Sequence, residues 1–238
     1  MDGAGQLHTP VPGPSLKNTV VFTVITVPLQ TAGSLVLAAV IAELFHNKFG
    51  NFVKSSLFVP VIASAILVGT LWFTLLSPRG VVNSIIHAFG LPSVNWLGGK
   101  LTSMLSVCIV SVWKNVGYFL VIYFAGIMDI PRSLYEAAEV DGANAFQRFF
   151  KITLPGLSSV TFLVVTLGTI WSFQVFDLVY TMTGGGPGTS TVTLVLTTYN
   201  AAFKEYNMGY ASAVAMLMFV FVLAVSGLQK LLLKGGED

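Results

Sequence analysis

Ser133-Leu-Tyr-Glu136-Ala137-Ala138-Glu139-Val-Asp141-Gly142-Ala143-Asn144-Ala-Phe-Gln147-Arg148-Phe-Phe-Lys151-Ile152-Thr-Leu154-Pro155 is a polar segment between long apolar runs, and it carries Glu136, Glu139, Asp141, Arg148 and Lys151. Ser133 followed by Glu136 predicts a capping box, in which the hydroxyl accepts from the third helical N–H while the carboxylate reaches back to the cap. Leu134–Val140 then forms a short helix, and Gly142 ends it in a left-handed conformation. Asn144 followed by Gln147 repeats the start signal and predicts a second short helix over Ala145–Lys151. Pro155 suits the first turn of the next apolar helix, where its missing N–H costs nothing. Ala137 and Ala138 leave one side of the first helix nearly bare, open to close approach by another backbone. Arg148 and Lys151 set a basic face beside that acidic helix. A helix lying on lipid sets a basic polar face against large apolar residues. The first helix here is acidic and small, which disfavours an anionic membrane surface and favours a protein partner.

Around this segment the chain is apolar. Of its residues 54% are apolar and 9% charged, with mean hydropathy +0.80, whereas soluble domains carry about 25% charged residues. Five runs, 18–42, 55–77, 101–128, 157–180 and 206–230, are each long enough to cross a bilayer, which takes about 20 residues in a helix. None alternates polar and apolar residues over its length, which argues against a membrane β-barrel. The expected fold class is therefore all-α and multi-pass, with residues 1–17 a flexible arm rich in Pro and Gly and 18–234 one transmembrane domain. The first run is too long for a signal peptide, lacks a basic leader and is followed by no small-residue cleavage pattern. A net charge of +2 gives no electrostatic case for nucleic acid. The single cysteine, Cys108, has no internal disulfide partner and reads as a small buried hydrophobe.

Loop charges orient the spans. Lys48, Lys54, Arg132, Arg148, Lys151, Lys230 and Lys234 lie on the side of the polar segment, against Lys17, Arg79, Lys100 and Lys204 on the other. The positive-inside rule places the polar segment and the C-terminus in the cytoplasm and the N-terminus outside.

Glu136-Ala137-Ala138, Asp141-Gly142-Ala143 and Ile152-Thr153-Leu154-Pro155 resemble, in order and spacing, the EAA signature of permease subunits of binding-protein-dependent ABC importers. The resemblance implies that Glu136, Ala137, Ala138, Asp141, Gly142, Ala143, Ile152, Leu154 and Pro155 couple to a cytoplasmic ATPase, through a coupling helix docked in its groove. Ser172-Phe173-Gln174-Val175-Phe176-Asp177-Leu178-Val179-Tyr180 and Thr183-Gly184-Gly185-Gly186-Pro187-Gly188 resemble the sugar-permease branch, relatives of the maltose and glycerol-phosphate permeases. So do Asn18-Thr19, Ser111-Val112-Trp113-Lys114-Asn115 and Gly209-Tyr210-Ala211-Ser212-Ala213, so the likeness covers nearly the whole chain from Asn18. It implies the five-span core of the type I importer fold with a cytoplasmic coupling loop at 132–155, in a bacterial or archaeal inner membrane. One departure is that such permeases usually begin with an additional membrane helix, whereas this sequence opens about where their second begins. That helix would account for the expected outside N-terminus.

No G-x-x-x-x-G-K-[S/T] phosphate loop occurs, since Gly98-Gly99-Lys100 is followed by Leu101 and lacks the glycine spacing. His8, His46 and His87 show no metal-ligand spacing, and no nucleophile with a base or paired catalytic carboxylates is evident. The expectation is a chain that is no enzyme and holds no metal or cofactor of its own. By resemblance, ATP and Mg belong to an ATPase dimer, a second permease completes the pathway, and an extracytoplasmic binding protein delivers the solute.

The pathway residues are read from chemistry. Lys114 lies near the middle of its span, where a charge costs several kcal/mol unless it faces protein or water. It either lines the cavity with Asn115 or anchors the fold by pairing with a carboxylate, Asp177 being the obvious candidate. Trp171, Phe173, Gln174 and Phe176 mix aromatic and amide groups, which suits stacking on sugar faces and equally suits packing. Gly184, Gly185, Gly186 and Pro187 form a flexible outer turn that, by family analogy, touches the binding protein. The rival readings are an ABC permease for another solute class and a secondary transporter. The latter would bind ions at broken helices, often with inverted repeats, and no such repeat is visible.

Overall fold

The computed structural model describes residues 12–44 and 48–234; residues 1–11 of the expected arm and His46 lie outside them. Every element among the described residues is helical. Three helices are long and apolar enough to cross a membrane singly: α1 (Pro12–Leu44), α5 (Lys100–Asp129) and α12 (Met208–Lys234). Two further candidates are bent pairs. Phe52–Ile62 of α2 (Lys48–Ile62) continues into α3 (Ala65–Leu75) through a bend of 96°. Ala145–Gly156, made of α7 (Ala145–Arg148), a π-turn (Phe149–Thr153) and α8 (Leu154–Gly156), meets α9 (Ser158–Phe173) at 69°. Counting each pair as one span gives five. The short helices are α4 (Val81–Ala88), α6 (Arg132–Val140), α10 (Asp177–Met182) and α11 (Leu194–Tyr199), the last running into a second π-turn (Asn200–Lys204).

Three expected boundaries move. Residues 12–17 of the arm are already helix, because prolines are tolerated in a first turn. The run 55–77 is two helices, broken at Ala63 and Ser64 just after Pro60, which sits in the last turn of α2. Its ring removes one donor and crowds the carbonyl four residues back. The run 157–180 ends as a helix at Phe173, and α10 takes over at Asp177.

The chain forms two compact units. The first comprises the chain through Thr26, Ser64–Ser111 and Ile170–Leu223. Its buried side chains include Phe22, Val107, Cys108, Val110, Met182, Leu194 and Leu196, so Cys108 has the buried place expected of it. Polar anchors fix the loops of this unit. Asn83, buried on α4, donates to the carbonyls of Ser77, Pro78 and Val94 at 3.2, 3.3 and 3.1 Å. Its Oδ1 accepts from Val94 N–H at 3.0 Å and Trp96 Nε1 at 3.3 Å. Asn18 Nδ2 donates to the carbonyls of Thr189 and Val192 at 2.7 and 3.0 Å. Thr19 Oγ1 accepts the Leu194 N–H at 3.0 Å, so the start of α1 holds the loop that precedes α11.

The second unit comprises Val27–Ala63, Val112–Thr169 and the chain from Ala224 onward. Its core joins Leu35, Ala38 and Ile41 of α1 to Phe119, Leu120, Tyr123 and Ile127 of α5 and to Val164 of α9. α2 runs along α5 in a close seam. A Cβ on Gly117 would lie 2.0 Å from the Leu57 carbonyl oxygen, so only glycine admits this backbone approach. On either side of it, Lys54 Nζ lies 3.7 Å from the centre of the Phe124 ring and Lys114 Nζ donates to the Val61 carbonyl at 3.4 Å.

Candidate functional site

The polar segment folds as two short helices joined by a glycine turn. Gly142 has φ +73°, and the turn around it is a full Schellman closure: Ala143 N–H donates to Ala138 O at 2.8 Å and Gly142 N–H to Glu139 O at 3.0 Å. The Asn144 box forms as expected, with Gln147 N–H donating to Asn144 Oδ1 and Asn144 N–H to Gln147 Oε1, both at 2.9 Å. The Ser133 box does not form. α6 begins two residues earlier, with Pro131 at the N-cap and no side-chain cap bond. Pro131 sets the entry, and Ser133 falls inside the first turn, where its hydroxyl no longer meets the cap geometry. The second helix also continues past Lys151 through the π-turn, so Pro155 lies in α8, before the bend rather than in α9.

Arg148 organises the charges here. Its guanidinium donates to the Glu139 carboxylate on α6 and to the Glu43 carboxylate near the end of α1. The two ion pairs among the described residues thus both run through one side chain, and the basic face expected from Arg148 is neutralised within the chain. Tyr135 OH and Thr153 Oγ1, 2.9 Å apart, add a second tie between α6 and the π-turn.

The first helix buries none of its residues within the chain. Glu136, Ala137, Asp141 and Gly142 are exposed, as are the large apolar side chains Leu134, Val140 (88%), Phe146 (72%) and Phe150. Ile152 and Leu154 instead turn inward against the core of their unit. Of the residues expected to couple, Glu136, Ala137, Asp141 and Gly142 are open, Ala138 and Ala143 are half-buried, and Ile152 and Leu154 pack against the core of their unit. A groove of about 1020 Å³ runs beside this face, lined by Val36, Val40, Met128, Tyr135, Phe149 and Phe150 among others. Sequence reading missed Glu43, Tyr135 and the four exposed apolar side chains. Their spacing along the chain carries no signal that they meet.

The expected pathway residues separate. Phe173 is 2% exposed and packs in the core of its unit, so it presents no face to a solute. Trp171, Gln174 and Asp177 are exposed and Phe176 half-buried, around the break between α9 and α10. Thr193 Oγ1 donates to the Val175 carbonyl at 3.2 Å and so satisfies the backbone of that break. Lys114 and Asn115 are half-buried in the other unit, and Lys114 engages the Val61 carbonyl.

The turn at 184–188, expected as a flexible loop, is held by hydrogen bonds. Thr191 Oγ1 donates to the Gly186 carbonyl at 2.9 Å and lies 2.7 Å from Thr183 Oγ1, while Gly184 N–H donates to Val179 O at 2.9 Å. Gly184, Gly185 and Gly188 all have positive φ, and Gly185 packs under Val192 and Leu196. Glycines here make a tight turn possible rather than a loose one.

The pattern of a protein family described as "Binding-protein-dependent transport system inner membrane component" matches residues 16–235. The chain is 38% identical over 234 residues to the probable ABC transporter permease protein YurN of Bacillus subtilis, covering 97% of this chain and 80% of that one. It is 36% identical to the sulfoquinovosyl glycerol transport system permease protein SmoG of Agrobacterium fabrum, covering 88% and 68%. Among solved structures, a bacterial ABC transporter that imports the acidic polysaccharide alginate superposes with a TM-score of 0.87, covering 98% of this chain and 82% of that one at 23% identity. The structural likeness is one of fold.

Proposed function

The chain belongs to the family of binding-protein-dependent transport system inner membrane components, a permease subunit of an ABC importer, and from that we propose that it carries a sugar or a sugar-derived solute. Relatives described as permeases for trehalose and maltose, for lactose and for sulfoquinovosyl glycerol are 34–36% identical to it and support that class. The chain, read as one permease domain over 18–234, shares the pathway with a second permease. A binding protein brings solute to the outer side. Two ATPase chains, which hold ATP and Mg, bind the segment 132–155 from the cytoplasm. The N-terminus is outside and the C-terminus inside the bacterial or archaeal inner membrane.

One observation carries the coupling reading: an amphipathic helix has no fully buried residue within its own chain and is tied by Arg148 to α1. Closure of the ATPase pair on ATP moves this docked helix, and the spans follow as rigid bodies between inward-open and outward-open states. Glu136 and Asp141 supply charge at the dock, Ala137 allows close approach, and Gly142 makes the turn.

The test is Gly142→Val in the reconstituted importer. A β-branched residue at φ +73° is strained by roughly 1–3 kcal/mol, enough to displace Asp141 and the docking face. The expected result is insertion with normal yield, weakened recovery of ATPase chains on purification, and loss of solute uptake. Full uptake with full solute-stimulated ATP hydrolysis would remove the coupling assignment.

A further inference from the structure

A second groove, of about 490 Å³, opens where α5 ends. Gly126, Asp129, Leu134, Lys151, Gly156 and Val160 line it, so its walls come from α5, α6, the first π-turn, α8 and α9. Small residues shape its floor. A Cβ on Gly126 would lie 2.8 Å from the Val160 side chain and 2.9 Å from that of Leu157, and one on Gly156 would lie 3.0 Å from Ile130. The lining side chains are apolar apart from two. Asp129, the last residue of α5, and Lys151, in the π-turn, are both exposed. Both ion pairs among the described residues belong to Arg148, so Asp129 and Lys151 pair neither with each other nor with another described charge. α5 is one of the helices that can cross a membrane alone, so its end puts this groove at the boundary between hydrocarbon and headgroups. Leu134 of α6 lines this groove while Tyr135, Glu136 and Glu139 line the larger one, so the two lie on different sides of that helix.

We propose that this groove holds the headgroup of a phosphatidylethanolamine, with its ammonium on Asp129, its phosphate on Lys151 and an acyl chain leaving along α5. The two charges select that lipid. At an anionic membrane surface a carboxylate alone is repelled, and an ammonium alone draws any phosphate. Opposite charges in one groove, too far apart to neutralise each other, match a zwitterion whose own charges are held apart by an ethylene bridge. Ethanolamine carries three N–H donors for the carboxylate, and hydrogen bonds between charged groups are the stronger kind. Choline carries no such donor, and phosphatidylglycerol would bring a net negative charge to Asp129. The acyl chain has an apolar path. Val121 and Ala125, both exposed, precede Asp129 on one stripe of α5 at four-residue steps, and exposed Leu163 follows Val160 on α9. A headgroup seated here stands against Leu134 and braces α6 on the side away from the larger groove. Such a site requires only that α5 spans the membrane, and it is independent of which solute the importer carries.

The test uses the full chain assembled with its partner subunits and stripped of lipid in detergent. It is titrated with palmitoyl-oleoyl phosphatidylethanolamine, phosphatidylcholine or phosphatidylglycerol, and bound lipid is counted by native mass spectrometry. Phosphatidylethanolamine should bind on the order of fivefold more tightly than the other two, the scale of one solvent-screened ion pair. Asp129→Asn should abolish that preference, and Asp129→Glu should keep it. Lys151→Gln should weaken phosphatidylethanolamine and phosphatidylcholine alike, because both carry the phosphate. Lys230→Gln, near the end of α12, should change neither. Melting temperatures in detergent verify that each variant is folded. Equal binding of the three lipids, or a preference that survives Asp129→Asn, overturns the site, since both mark ordinary annular lipid. If Asp129→Asn instead releases an ATPase chain and leaves lipid binding unchanged, the groove is a protein contact and the lipid site falls.

Discussion

The Lys114 ammonium donates to the Val61 carbonyl at 3.4 Å, bringing a charge from the interior of α5 to the end of α2. The last carbonyls of a helix have no intrahelical donor, and a cation beside them also opposes the negative end of the helix dipole. α2 ends at Ile62, immediately before the 96° bend, so Lys114 serves as a cap supplied from a neighbouring helix. Replacing it with Met should lower stability by about 1–3 kcal/mol, the cost of a buried acceptor losing its donor. Thermal unfolding in detergent checks this, with Lys114→Arg retaining most of the stability. If the residue instead only lines the solute route, Lys114→Met will melt normally and lose uptake.

Gly117 and Gly33 make a matched pair for testing the seam of α2 on α5. A Cβ at Gly117 meets the Leu57 carbonyl oxygen at 2.0 Å, whereas one at Gly33 meets only the Val116 side chain at 3.7 Å. Gly117→Ala should therefore cost about 1–3 kcal/mol or more from overpacking against backbone. Gly33→Ala should be close to neutral. The monodisperse fraction and melting temperature of the two variants distinguish them.

Asn83 uses both ends of its amide to clasp the segment from Ser77 to Trp96. Asn83→Ala leaves the Val94 N–H and the three carbonyls without this partner, and about 2–3 kcal/mol of stability should go with it. Limited proteolysis will then cut between Ser77 and Lys100, and Trp96 fluorescence will shift to the red as the indole gains water. Ser84→Ala, on the same helix, is the control expected to change neither.

Arg148 is only 15% exposed, but its partners Glu43 and Glu139 are 45% and 62% exposed. Each pair is then worth no more than about 1 kcal/mol, because solvent screens the carboxylates. Arg148→Gln should consequently change melting little while lowering solute moved per ATP hydrolysed, since the tie from α6 to α1 is lost. A double-mutant cycle with Glu43→Gln measures the coupling between those two side chains. A ratio of transport to hydrolysis equal to that of the unsubstituted chain would exclude the tie from energy transmission.

What could be read from residues alone depended on how local its cause was. The Gly142 terminus and the Asn144–Gln147 box were legible because each is built from neighbours a few residues apart. The Ser133–Glu136 signal was equally local and still failed, because Pro131 sets the helix start two positions upstream. The long apolar runs located the candidate spans, three as single helices and two as bent pairs, but not the breaks within them. Hydropathy along 55–77 is uninterrupted across Ala63 and Ser64, and only Pro60 hints that the axis turns. Asn83, Thr19 and Arg148 act through partners 11, 175 and 105 residues away, and no periodicity within a single sequence connects such positions. The glycines at 184–188 were read as looseness, yet the threonines at 183 and 191 that tighten them lie outside that run.

The two π-turns, Phe149–Thr153 and Asn200–Lys204, are each a helix carrying one residue more than its hydrogen-bond ladder needs. A surplus residue is a unit of length the chain can surrender without unwinding. Deleting one residue there would re-form ordinary turns on both sides and rotate one flank against the other. It also gives the segment 132–155 an adjustable phase: one residue more or less before Leu154 would turn the exposed side of α6 relative to α9.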